Sequence, residues 1–172
     1  MMKALLMGAL LLVLCIPQMG MAGESGALDV PEGAVLLEIR GNITHENALE
    51  GAHFDFEMLK DLPQFGFDTS TPWTSGVSYY SGPLIRDLLE RVGTHSEVIR
   101  VSALNGYEAE IPVSDFYDYD VILALERNGE PMPIREYGPL WVLYPFDQDE
   151  ALLNEKMRFR AVWQVMRIDA LK

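Results

Sequence analysis

The chain has 172 residues, with 13 Lys and Arg against 26 Asp and Glu and a net charge of −13. A balance this acidic repels phosphate backbones and anionic head groups, which argues against nucleic acid or a membrane surface as a direct partner. Its one Cys, Cys15, stands near the start.

Lys3 precedes an apolar run from Ala4 to Ile16 that is too short to span a bilayer. Pro17 ends the run, and Gly20-Met21-Ala22 sets small residues at the first and third positions before Gly23. This pattern predicts a signal peptide over residues 1–22 and a periplasmic address, with no membrane insertion after cleavage. Leu14, rather than a small residue, precedes Cys15, which argues against lipidation. Cleavage removes one Lys and no acid, taking the net charge to −14. It also removes the sole Cys, which excludes disulfides, thiolate metal ligands and Cys nucleophiles from the mature chain.

Residues 23–33 are small, polar and acidic, a composition that predicts a flexible leader, with folding from Ala34 and one domain over 34–172. Ala34 to Ile39 reads as a strand. Phe56 to Leu62 reads as a short helix that Pro63 ends, and Gln64 to Asp68 as a strand. Ser81-Gly82-Pro83 opens the best helix: Leu84, Ile85, Leu88, Leu89 and Val92 form one stripe, Pro sits in the first turn, and Gly93 is the stop. Val98 to Leu104 and Tyr107 to Val113 flank Asn105-Gly106, and Val121 to Glu126 and the next segment flank Asn128-Gly129. Both pairs predict hairpins with tight primed turns. Leu140 to Tyr144 suits a central strand, and Ala161 to Ile168 alternates as a closing one. Many short strands around one good helix predict a single compact α+β domain, mainly β.

Common catalytic signatures are missing: no Gly-x-Ser-x-Gly elbow, no Walker-type phosphate loop, no dinucleotide fingerprint and no His-Glu-x-x-His occurs. No catalytic residue is assigned. His45, His53 and His95 stand at irregular spacings, so no metal site is assigned either. Asp115, Asp118 and Asp120 read as a solvated rim, from which only Asp115 is singled out.

Several segments stand in a recognisable order: Gly82-Pro83-Leu84; Asn105 and Tyr107 followed by Ile111-Pro112 and Asp115; Arg135; Gly138-Pro139-Leu140-Trp141; and Trp163-Gln164. In this order they resemble periplasmic, single-domain relatives of the sulfite oxidase molybdopterin-binding domain, including small pterin-binding proteins of the PruR type. The resemblance covers roughly Ala34 to Ala170 and implies that domain's fold. It implies a periplasmic module that binds a pterin without catalysis and reports to an inner-membrane receptor, either an enzyme of cyclic di-GMP or a sensor kinase. Sulfite oxidases hold molybdenum through a Cys thiolate, so the mature chain's lack of Cys disfavours the alternative of a molybdopterin-dependent oxidoreductase. A ligand-free protein-interaction domain is the second alternative. Gly106 and Tyr137 depart from the pattern, where polar or charged residues are expected.

A pterin is a flat bicycle whose aminopyrimidine edge offers adjacent N–H donors beside a carbonyl, so its site wants an aromatic face, a carboxylate and a donor for the carbonyl. The candidate cofactor-binding residues are Trp73 and Thr74 in a polar loop, Asn105, Tyr107, Asp115 and Arg135. Asn105 could serve only by tolerating positive φ, Asp115 by capping a turn, and Arg135 by a surface ion pair. Trp141 and Trp163 read as core, while Tyr79 and Tyr80 are further candidates to line the cleft, with strand packing as their alternative. Protein recovered from a periplasmic fraction is expected to begin at Gly23 on N-terminal sequencing; a start at Cys15 carrying lipid mass would contradict this.

Overall fold

A computed structural model describes residues 27–172, so the predicted signal peptide lies outside the described residues. In chain order come β1 (Leu37–Gly41), β2 (Ala52–Phe54), α1 (Phe56–Asp61), β3 (Gln64–Thr71), β4 (Thr74–Pro83), α2 (Ile85–Arg91), β5 (Val98–Ala103) and β6 (Glu108–Pro112). Then follow α3 (Asp115–Asp118), β7 (Ile122–Ala124), β8 (Glu126–Arg127), β9 (Glu130–Pro131), β10 (Trp141–Leu143), α4 (Glu155–Arg160) and β11 (Val165–Ala170). The strands form a five-stranded sheet ordered β2-β1-β11-β5-β6, a four-stranded sheet ordered β3-β4-β8-β9, and the pair β10-β7. This is the mainly β mixture the sequence predicts.

In the five-stranded sheet the last strand lies parallel to the first, β11 beside β1, while its other pairings are antiparallel. Period-2 alternation sends Leu37, Ile39, Val101, Ile111 and Ile168 to the buried face. On the other face the register aligns Arg40, Asp169, Arg100 and Glu110 in one row and Glu38, Arg167, Ser102 and Glu108 in the next. Opposite charges alternate across neighbouring strands, which suits a solvated sheet face. One hydrophobic cluster joins the sheets, with Ile39 from the first, Phe67 and Tyr80 from the second, and Leu123 and Trp141 from the pair.

The two predicted hairpins close differently. At Asn128-Gly129 both residues have positive φ, 54° and 84°, and Arg127 pairs with Glu130, so this is the primed two-residue turn. At Asn105-Gly106 only Gly106 is left-handed (φ 83°), and the Gly106 amide donates to the Ala103 carbonyl at 3.0 Å. That geometry is a longer turn with glycine in the left-handed position, so Asn105 is not there for positive φ.

Other boundaries move for reasons of pairing. Pro83 ends β4 instead of opening α2, because it pairs with Gln64 and Leu84 bridges Ile122, holding the backbone extended up to Ile85. The loop expected around Thr71 to Gly76 is only a tight turn, since Thr71 pairs with Thr74 and β4 runs ten residues from there. Ala161 to Gln164 are not strand, for Gln164 has φ 54° and Trp163 contributes only an isolated bridge to Trp141. Helix α4 has no apolar stripe and buries only Met157, which is why hydrophobic periodicity misses it; the Asn154 side chain caps it by accepting from the Met157 amide.

Packing also starts upstream of Ala34. Leu28 packs against the core, Asn47 donates to the Asp29 carbonyl at 2.6 Å, and the buried Asp55 accepts from the Glu32 and Gly33 amides at 2.9 and 2.7 Å. Asp55 also caps α1 through the Met58 amide at 2.9 Å. The Met58 amide first, then those of Gly33 and Glu32, hold its carboxyl below the usual carboxylate value of 3.8. Stability from these bonds is present above that unfolded value and is lost as pH falls through the lower folded one. Asp55→Asn keeps a cap without the charge, so melting curves from about pH 5 to about pH 1 should fall less steeply for it than for wild type; parallel curves would contradict the assignment.

Candidate functional site

Trp141, fully buried on β10, gathers aromatic rings from three separate parts of the chain. Its ring lies 5.7 Å from Trp73 at the β3–β4 turn, 5.8 Å from Tyr80 on β4 and 5.0 Å from Tyr137, the last nearly parallel at 27°. Trp73 continues edge-on to Trp163 at 5.1 Å and to Phe146 at 6.0 Å. Such offset and edge-to-face pairs add about 0.5–1.5 kcal/mol each beyond burial.

Tyr137 holds a left-handed backbone (φ 74°), a conformation that costs a bulky residue about 1–3 kcal/mol. Two bonds offset it. Its hydroxyl donates to the Trp73 carbonyl at 2.9 Å, and its carbonyl accepts from the Gln164 amide at 3.1 Å. The departure at Tyr137 thus has a physical use: the side chain ties the Trp73 turn to the segment that carries Trp163.

Beside this cluster opens a cleft of about 440 Å³, within the size of small-molecule sites. Trp73, with Pro72, and the half-buried Trp163 supply its aromatic surface, and the buried Ala103, Ala161 and Val162 add apolar lining. Asn105 and Tyr107 come from the β5–β6 turn, and Glu155, Arg158 and Phe159 from α4. Asn105 Oδ1 accepts from the Tyr107 amide at 3.0 Å, which leaves the Asn105 amide N–H groups to offer. The Tyr107 hydroxyl donates to the Phe159 carbonyl at 2.8 Å, tying α4 to the turn, and burial raises its pKa.

Of the predicted residues, the fold brings Trp73, Asn105 and Tyr107 together. It sets the other three elsewhere. Thr74 Oγ1 lies 2.8 Å from Thr71 Oγ1 and closes the β3–β4 turn. Arg135 is exposed on a 3-10 turn over Ile134–Glu136 and does not line the cleft. Asp115 is buried: its Oδ2 accepts from Arg160 Nη1 at 2.7 Å and from the Tyr144 hydroxyl at 2.8 Å, so it neither lines the cleft nor caps α3. Burial, aided by the Asp115 charge, raises the Tyr144 pKa far above that of a free phenol. Trp163, read as core, is a cleft wall, while Tyr80 is fully buried and Tyr79 lies exposed on β4. Glu155, Arg158 and Phe159 were missed because the only sign of α4 is its Asn154 cap.

Residues 45–146 match the family described as the oxidoreductase molybdopterin binding domain. The chain belongs to that family. Its fold is that of the sulfite oxidase molybdopterin-binding domain: a similar solved structure is the sulfane dehydrogenase SoxCD from Paracoccus pantotrophus, with a TM-score of 0.60 and 20% identity. The likeness covers 86% of this chain but only 40% of that one, so the chain spans less than half the length of the chain it matches. No curated protein matches in sequence. The matched family segment contains Trp73, Asn105 and Tyr107 and stops before α4 and Trp163.

Proteins of this family bind a molybdopterin cofactor. The cleft lining here holds one carboxylate, one guanidinium, one amide and one phenol, with neither thiolate nor imidazole. Among the described residues no three His, Cys, Asp or Glu gather as metal ligands. This donor set does not fit a thiolate-held metal, whereas two indoles beside polar groups fit a flat heteroaromatic ring.

The Arg160–Asp115 pair anchors the end of α4, with side chains only 12% and 9% exposed. Arg160→Met leaves a buried carboxylate uncompensated and should cost about 3–5 kcal/mol in chemical unfolding. Adding Asp115→Asn, whose neutral amide oxygen still accepts from Tyr144, should restore part of that loss. A loss below about 1 kcal/mol for Arg160→Met would mean the pair behaves as a surface ion pair.

Proposed function

We propose that this protein is a non-catalytic pterin-binding module. The observation that carries the reading is the cleft itself: within a molybdopterin-binding family, this chain keeps aromatic surface suited to the pterin ring and lacks there the donors that would hold a metal. The signal-peptide pattern at residues 1–22 supports a periplasmic location, and the resemblance to small pterin-binding proteins of the PruR type supports a reporting role. On that reading the partner is an inner-membrane receptor that makes or degrades cyclic di-GMP, or a sensor kinase.

Mature protein titrated with a pterin should show saturable quenching of tryptophan fluorescence, since the cleft carries Trp73 and Trp163. Trp73→Leu should weaken binding about two- to tenfold, the equivalent of one lost aromatic stacking contact. Absence of any saturable binding would overturn the pterin reading. Protein expressed with molybdate should hold molybdenum well below one atom per chain; a full equivalent that survives dialysis would overturn the non-catalytic one.

A further inference from the structure

The cleft has two kinds of wall. One, formed by Trp73, Asn105 and Tyr107, lies inside the matched family segment; the other, formed by α4, lies outside it. Helix α4 brings Glu155 and Arg158 to the cleft three residues apart, the spacing that sets side chains on one helix face. Among the described residues neither takes part in an ion pair, although Arg160 on the same helix is committed to Asp115. The cleft therefore offers an acceptor-only carboxylate and a donor-only guanidinium from one helix, next to aromatic surface.

That pairing selects among flat heterocycles. A 2-amino-4-oxopteridine presents two neighbouring N–H donors, the 2-amino group and N3–H, along one edge, and beside them two acceptors, the 4-oxo group and N5. A carboxylate can accept both donors at once, and a guanidinium fork can donate to both acceptors. In a 2,4-dioxopteridine (lumazine) the 2-amino donor is replaced by a carbonyl, so an acceptor would face the carboxylate; the 4-oxo and N5 edge is unchanged. We infer that Glu155 is the specificity-determining residue of the cleft, reading the 2-amino group of a 2-amino-4-oxopteridine, and that Arg158 holds the 4-oxo edge. The inference rests on the pterin reading above and assigns to Glu155 the carboxylate role for which the sequence pointed to Asp115.

Glu155 is exposed, so its replacement leaves the core intact. Binding of pterin and of lumazine is measured by tryptophan quenching for wild type, Glu155→Gln and Arg158→Leu, at a mildly acidic pH that keeps both heterocycles uncharged. Wild type should favour pterin by about ten- to hundredfold, the range for one charge-assisted hydrogen bond exchanged for a repulsive contact. Glu155→Gln puts one donor and one acceptor where two acceptors stood. It should weaken pterin and strengthen lumazine, reversing the preference, which no general loosening of α4 would do. Arg158→Leu should weaken both ligands by a similar factor and leave their ratio unchanged. If wild type binds both heterocycles equally, or if Glu155→Gln leaves the ratio unaltered, the assignment of Glu155 falls while the pterin cleft stands. If wild type binds neither, the pterin reading falls and this inference with it.

Discussion

The aromatic cluster around Trp141 is the constraint on which the candidate site depends. It joins segments far apart in sequence: the β3–β4 turn through Trp73, β4 through Tyr80, the turn before β10 through Tyr137, and the link into β11 through Trp163. Trp141 is fixed by complete burial and by its indole donating to the Ala161 carbonyl at 3.3 Å. Because interiors are close-packed, moving any of these rings would shift the others. Trp73 and Trp163 can therefore stand half-buried beside the cleft without collapsing into it.

The second wall is held by different physics. Helix α4 buries little beyond Met157, so apolar packing alone is a weak tether. Its position comes from polar anchors: Asn154 at its start, the Tyr107 hydroxyl on the Phe159 carbonyl, and Arg160 on the buried Asp115. Asp115 in turn takes the Tyr144 hydroxyl just beyond β10. The carboxylate that sequence chemistry marks as a ligand thus acts one step back, fixing the helix that carries the cleft's own carboxylate.

Family membership and cleft chemistry inform different questions. The matched segment shows the family and contains Trp73, Asn105 and Tyr107. Likeness to SoxCD at 20% identity concerns architecture only. Function is decided by the residues at the site.

Local rules read from the sequence determined most of the elements. Pro63 after Phe56 to Leu62 marked α1, the Leu84 to Val92 stripe marked α2, and Asn128-Gly129 marked a primed turn, because each depends on backbone sterics or periodicity within a few residues. Ordered motifs across the chain were enough to indicate the domain family, and an indole, an amide and a phenol of its cleft. What only the tertiary structure decided depends on partners distant in sequence. Asp115 meets Arg160 forty-five residues on, Pro83 stays in a strand because it pairs with Gln64, and Trp163 packs against the core with one side while lining the cleft with the other. Helix α4 carries almost no apolar signal, since its outer face meets a cleft instead of a core, and so the residues that complete the site stayed invisible until the fold placed them there.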